Sequence, residues 1–407
     1  MTEPASRVIS EETTSAIREQ SGGEKLQECQ TCEQCLSTCF INDFYPGTDL
    51  PREVTRGVFS GDIQPIVDSE FLWACTLCAR CTADCPKGIM MDHIIRMLRG
   101  VARAGGKGPK RLEDGLAMIR ETGNSVGIDA EEFADTIQWL AEEAAGEIEG
   151  IDEEELTVPM DKHGAEYLFI PNPREYTSAA HMSSVYLRFL MATEVDWTYA
   201  STLCDISNWA YYLGDEETNL DLVRKIVETA RSLGVKAILS TECGHGYKIL
   251  KKDAEKMLGE PLGLEVTSVV DLAARLFTEG KLKLKQGAID ATVTYHDPCN
   301  LGRKLGMYEP PRELLRHIAR EYVELEPHGK YALCCGGGGG VAQNSDLGKK
   351  KLEFGKAKAD QIVASGAGIV TTSCQACLTQ LHDIKEHYNL AVEARSLIEL
   401  VVESLVR

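Results

Sequence analysis

Several absences narrow what this 407-residue chain can do. It contains no run of about 18 apolar residues, so nothing in it crosses a bilayer by itself. The opening stretch MTEPASRVISEETTSAIREQ has no apolar core of the kind a secretory signal needs. Fifteen cysteines, an odd total, do not suit a fully disulfide-paired secreted scaffold, and reduced thiols in a cytoplasmic setting are expected. Positive charge is in short supply. Lys and Arg number 43 against 63 Asp and Glu, a formal net charge of −20 that opposes binding to phosphate backbones, so no nucleic-acid partner is expected. Aromatic residues make up only 6%, yet 43% hydrophobic content is enough for two or three domains with cores. The glycines at Gly336–Gly340 are not followed by Lys-Ser or Lys-Thr, and no GxGxxG register is present, which argues against a nucleotide-binding loop.

What is present is a cysteine pattern in two copies: Cys29, Cys32, Cys35, Cys39, then Cys75, Cys78, Cys81, Cys85 followed by Pro86. Each copy reads CxxCxxCxxxC, the spacing that wraps short turns around a four-iron cubane cluster. Structural zinc, the plainer alternative, uses separated CxxC knuckles rather than one dense run. In two-cluster ferredoxins the last cysteine of each run serves the other cluster. By that logic Cys29, Cys32, Cys35 and Cys85 hold one [4Fe-4S] cubane, while Cys75, Cys78, Cys81 and Cys39 hold the second. Phe40, not proline, follows Cys39, which removes no ligand.

Composition divides the rest. Residues 1–108 read as a helical ferredoxin-type domain, with Ile94, Ile95, Met97 and Leu98 on an apolar helix face. Gly105, Gly106, Gly108 and Pro109 break it, and an acidic, helix-rich connector follows over 109–163, including Phe133, Ile137, Trp139 and Leu140. Its acid run Asp152–Glu155 reads as a solvated face. From Glu166 the texture becomes strand–helix alternation, which implies parallel sheets. Strands are expected at 167–170, 236–240, 292–295 and 369–372, and helices at 220–233, 347–364 and 396–406.

The other seven cysteines form a second constellation. Cys299 sits in YHDPCN, Cys334 and Cys335 open CCGGGGG, and Cys374 and Cys377 form a CxxC, giving C-x34-CCG-x37-CxxC. These positions fall where strands give way to loops, the usual ligand location of open α/β sheets. Five thiolates are one too many for a simple cube and suggest an opened cluster with a bridging thiolate, approached closely by the glycine backbone. A shift of 131 residues lays Cys335 over Cys204 and Cys374 over Cys243, so an internal repeat is expected. In the earlier half Leu203 and Gly246 stand where cysteines would be, and Pro171–Pro173 replaces the upstream one. Two thiolates seldom retain a four-iron cluster, and a vestigial half is the simpler reading of Cys204 and Cys243, with a small metal site involving His245 or Glu242 as the alternative. His245 and His296 lie near cysteines in sequence and are of a type that moves protons, but sequence proximity does not establish geometry, and neither joins the catalytic set.

These motifs resemble the D-type subunits of heterodisulfide reductase, in which a two-cluster ferredoxin module is joined to a pair of cysteine-rich CCG domains. The resemblance runs from Cys29 to Cys377. It implies an α plus α/β fold, with an N-terminal helical two-[4Fe-4S] domain, a reduced CCG domain over 164–288 and a full CCG domain over 289–407, the last two pseudo-repeated around parallel sheets. It further implies a non-cubane [4Fe-4S] cluster on Cys299, Cys334, Cys335, Cys374 and Cys377. Chains with one full and one reduced half resemble catalytic subunits of membrane redox complexes in sulfate reducers, including those acting on a small sulfur-carrier protein. The implied activity is reduction of a disulfide or related sulfane bond. The alternative is an electron-relay subunit similar to those of flavoprotein glycolate or lactate oxidases. Because no flavin or nicotinamide fingerprint occurs, electrons are expected from a partner: a membrane cytochrome b that oxidises quinol, or a flavoprotein. Through such subunits the chain would sit peripherally on the inner face of the membrane.

Overall fold

The computed structural model describes residues 9–22, 25–146 and 157–406, so the acid run Asp152–Glu155 lies outside the described residues. The chain packs as two compact units, and neither is continuous in sequence. The first comprises the residues up to Asp114 together with Trp209–Glu216 and Cys334–Lys356. The second comprises Gly115–Asn208, Glu217–Leu333 and Ala357–Arg407.

The first unit is built from short helices because its cysteine runs must turn their sulfurs inward every three residues. Lys25–Cys29 ends at the first cysteine, and Phe71–Ala74 stops one residue before Cys75. Between Cys75 and Cys81 the backbone passes through the left-handed region at Leu77 (φ 51°) and Ala79 (φ 57°). Such a conformation costs a non-glycine residue about 1–2 kcal/mol, so the turn is held by what surrounds it. The 14-residue helix Met91–Ala104 supports the cysteine loops and buries Ile94, Ile95 and Leu98 as its spacing predicts, together with Ala102, while Met97 is only half-buried.

The second unit holds two four-stranded sheets, all of whose pairings are parallel. Strands β1 (Tyr167–Ile170), β2 (Trp197–Thr198), β3 (Ala237–Ser240) and β4 (Glu265–Ser268) run in the order β2-β1-β3-β4. Strands β5 (Ile289–Tyr295), β6 (Ala319–Val323), β7 (Ile369–Thr372) and β8 (Glu393–Ser396) run in the order β6-β5-β7-β8. Both orders reverse direction between the first and third strands of the set. Beyond the carboxyl ends of β1 and β3, and of β5 and β7, each sheet therefore has a topological switch point, where ligands of open α/β sheets bind. Helices pack on the sheets through apolar faces: Glu216–Leu233 buries Leu222, Val223, Ile226, Val227 and Ala230. Around β7, the side chains of Val370, Ile362, Leu378, Leu381 and Ile384 close a core.

The helix expected over 347–364 is interrupted. A short turn at Lys350–Glu353 gives way to a separate helix, Lys356–Ser365. The break falls at Phe354 and Gly355. The Phe354 ring packs edge-on against Phe40 and Phe44 inside the first unit, while Lys356–Ser365 feeds Ala359 and Ile362 to the core beside β7.

Candidate metal centres

In the first unit the eight ferredoxin-type cysteines fall into two groups. Cys29 and Cys35 feel the charge of each other's neighbours, Cys32 and Cys85. Cys39 and Cys81 both feel Cys75 and Cys78. The last cysteine of each run thus lies with the first three of the other. Burial, followed by the charge of adjacent sulfurs, pushes the Cys35 thiol up to about 11 and raises those of Cys39 and Cys81 well above the ordinary thiol range. Burial raises Cys75 to about 11 against the opposing pull of the Arg99 guanidinium. Crowded thiols that resist ionising alone are suited to a metal, whose charge takes the place of their protons. The backbone N–H of Ile89 donates to Cys85 Sγ at 3.3 Å, a contact that favours thiolate. Donor type, number and grouping fit two four-iron clusters.

The glycine loop belongs to the same unit. Its Cys334 thiol donates to Thr76 Oγ1 at 3.4 Å, and Cys334 Sγ accepts from the N–H of Gly336 at 3.3 Å. At Gly339, in the left-handed region at φ 61°, a Cβ would stand 2.6 Å from the Thr76 carbonyl carbon and 2.9 Å from Cys75 O. Only glycine permits that approach. Arg99 donates to Cys75 O at 2.6 Å and to Gly339 O at 2.7 Å, tying the two loops together. Neither Thr76 nor Arg99 was legible in the sequence, since nothing in their spacing marks them.

In the second unit Cys299, Cys374 and Cys377 lie at the switch point between β5 and β7. A hydrogen bond from Cys377, then one from His245, holds the Cys374 thiol well below its ordinary range despite burial. The loop after β3 meets the same place: a Cβ on Gly244 would lie 3.3 Å from Cys374 Sγ and 3.6 Å from Asn300 Cβ. After β3, Cys243 Sγ accepts from Asn172 Nδ2 at 3.1 Å and from Gly246 N–H at 3.4 Å. Asn172 belongs to the Pro-Asn-Pro segment that follows β1. Burial and the charge of Cys374 push Cys243 up to about 12. Cys204, also about 12 through burial, has Lys225, Thr229 and Asp205 for neighbours instead.

Two further features mark these strand ends. His296 is 1% exposed, and neither ring nitrogen has a hydrogen-bond partner among the described residues. Burial and the nearby Lys358 ammonium hold it well below its ordinary range, hence neutral. An orphaned imidazole is costly unless something bound supplies a partner, so the site is suited to hold a group. Behind β3, Tyr186 hydroxyl lies 3.1 Å from Glu175 and 3.4 Å from Glu242, with Gln375 Nε2 also 3.4 Å away. Burial pushes both carboxyls up to about 8.

Residues 24–89 match the 4Fe-4S dicluster domain, and residues 293–382 match the Cysteine-rich domain called CCG. The D-type subunit of the dihydromethanophenazine:CoB–CoM heterodisulfide reductase of Methanosarcina mazei is 31% identical over 56% of this chain and 54% of its own length. The EtfAB:quinone oxidoreductase of Syntrophomonas wolfei is 28% identical over 78% of this chain and 44% of its own. The chain thus spans about half the length of these relatives. The Hdr-like menaquinol oxidoreductase iron-sulfur subunit of Archaeoglobus profundus is 25% identical over 93% of this chain and 79% of its own. The chain resembles the D-type subunits of heterodisulfide reductase, as its cysteine spacing implied, and it is an iron–sulfur protein whose relatives are oxidoreductases. No helix among the described residues is long and apolar enough to cross a membrane.

Proposed function

We propose that this chain is a heterodisulfide reductase-like oxidoreductase. It takes electrons from a partner subunit and delivers them to a disulfide or sulfane substrate held by the CCG cysteines. Cys29, Cys32, Cys35 and Cys85 would hold one cubane, Cys75, Cys78, Cys81 and Cys39 a second, and Cys299, Cys334, Cys335, Cys374 and Cys377 a non-cubane cluster. When bound, these groups supply one-electron transfer and, at the five-cysteine set, iron that keeps a cleaved sulfur from escaping as a radical.

The observation that carries the reading is the packing of the two loops in the first unit. Cys334 touches Thr76, and Gly339 lets the CCG loop rest on the backbone of Cys75 and Thr76. The Cys75 set is then the one that faces the substrate side, and the Cys29 set faces the partner. Opening one disulfide consumes two electrons and two protons and yields two thiols. His245, hydrogen-bonded to Cys374, and the neutral His296 are polar side chains at the strand ends where a sulfur substrate would be held.

The matching strand orders of the two sheets support a pseudo-repeat, with 164–288 as the reduced CCG domain and 289–407 as the full one. The ferredoxin-type domain would occupy 1–108 and the acidic connector 109–163. With only Cys204 and Cys243 in the reduced half, substrate is handled on one side. The donor would be a quinol-oxidising membrane cytochrome b, which would hold the chain at the inner membrane face, or a flavoprotein. A second reading, an electron relay without its own disulfide chemistry, draws on the relative named for EtfAB and quinone. The two separate experimentally. Anaerobically purified protein oxidised with a thiol present develops a new paramagnetic signal if it is a reductase, and Cys335→Ser abolishes disulfide reduction from an artificial donor. Unchanged turnover in Cys335→Ser removes the five-cysteine set from the chemistry.

A further inference from the structure

Three arginines lie along one face of the helix Met91–Ala104, at positions 96, 99 and 103. The outer two have carboxylate partners in the segment Trp209–Glu216: Arg96 pairs with Glu216, and Arg103 meets Asp215 at 2.8 Å. Arg99, between them, is 0% exposed, and its hydrogen bonds all end on backbone carbonyls. They are those of Leu72 (2.9 Å), Cys75 (2.6 Å), Tyr212 (3.1 Å) and Gly339 (2.7 Å). The Trp73 ring lies 5.2 Å from the guanidinium carbon.

Carbonyl dipoles satisfy the guanidinium's N–H groups but leave its charge uncancelled. A buried charge without a counter-ion is among the costliest features a protein can carry. The shortest of its hydrogen bonds, 2.6 Å, goes to the carbonyl of Cys75, so the cluster that Cys75 would help hold is the negative charge placed beside it.

We infer that Arg99 is the charge-compensating residue of the cluster held by Cys75, Cys78, Cys81 and Cys39, raising that cluster's reduction potential above what its thiolates alone would set while clamping the glycine loop on it. A fixed positive charge beside the cluster favours the form carrying one more electron, and in a buried setting the effect is strong. Arginine suits the task better than lysine, since its planar fork reaches carbonyls of three separate segments and keeps its proton when buried. The inference rests on the cluster assignment proposed above.

The test is a redox titration followed by electron paramagnetic resonance, with iron content measured on the same anaerobic samples of the full chain. Arg99→Gln removes the charge and Arg99→Lys keeps it. The expected result is a lowered potential for one cubane signal in Arg99→Gln, with the other signals unmoved and Arg99→Lys close to the parent. Loss of iron from Arg99→Gln but not from Arg99→Lys also supports the charge role. Unmoved potentials in an iron-replete Arg99→Gln, or loss of iron from both variants, overturn it, leaving Arg99 a structural clamp. Parent protein without iron would instead refute the cluster assignment itself.

Discussion

The tightest approach between the two cysteine systems of the first unit is made at Gly339, and replacing it by alanine tests whether that approach matters. The residue sits at φ 61°, so any side chain incurs about 1–2 kcal/mol for the left-handed backbone. The added methyl also meets Thr76 C at 2.6 Å, Thr76 O at 2.8 Å and Cys75 O at 2.9 Å. All three are backbone atoms in a loop that itself holds two residues at positive φ, and cannot swing aside as a side chain would. Overpacking of this kind adds about 1–3 kcal/mol. Gly339→Ala should therefore destabilise the protein by roughly 2–5 kcal/mol. Relief comes only by moving the loops apart, which lengthens the path from Cys75 to Cys334. Urea unfolding gives the stability change. Rapid-mixing reduction by an artificial donor, monitored separately at the cubane and CCG signals, should show unchanged filling of the cubanes and slowed onward transfer. Parent-like stability together with parent-like onward transfer would refute the idea that these loops are in functional contact.

Other expectations concern the second unit. The Glu175 carboxyl is raised by burial to about 8 in the folded protein, above its unfolded value of 4.5. The folded state thus binds the extra proton, so stability is full below about pH 4.5 and declines toward pH 8, by up to about 1.4 kcal/mol per pH unit. Glu175→Gln should flatten that decline in urea titrations at several pH values; a parallel curve would contradict it. Arg312, 3% exposed, forks onto Asp297 with two 2.8 Å contacts and also holds Glu324. Arg312→Met leaves Asp297 buried and unpaired and should cost about 3–5 kcal/mol, read as a lowered unfolding midpoint. An unchanged midpoint would show that the pair is not needed. Asn172→Ala removes the 3.1 Å donor on Cys243 and should make that thiol slower to alkylate in the iron-depleted chain, since a thiolate loses a stabilising contact. Faster alkylation would mean that Asn172 shields the sulfur rather than supporting its charge.

What could be read from the sequence follows burial on both faces. The central strands β1 and β7 are the runs YLFI and IVTT, apolar or β-branched throughout, and the expected 167–170 and 369–372 coincide with the observed strands. The strands with no expectation, β2, β4, β6 and β8, are the edges of the two sheets. In β6 and β8 the sequences AREYV and EARS carry no apolar run and expose Arg320, Glu321 and Glu393, while β2 is only two residues long. The cysteine groups were legible because metal-ligand spacing is a local property. The membership of Cys334–Lys356 in the first unit was not, because it depends on contacts such as Thr76 to Cys334, 258 residues apart. Arg99 was invisible for the same reason: an arginine on an amphipathic helix reads as a surface residue until its partners are known.

The claim on which the rest depends is that five cysteines, Cys299, Cys334, Cys335, Cys374 and Cys377, hold one iron–sulfur cluster beside two cubanes. Anomalous scattering at the iron edge from anaerobically grown crystals measures this directly. Three separate iron centres, one of them ringed by those five sulfurs, is the predicted result. Two centres only, with the five-cysteine set free of iron, would contradict it.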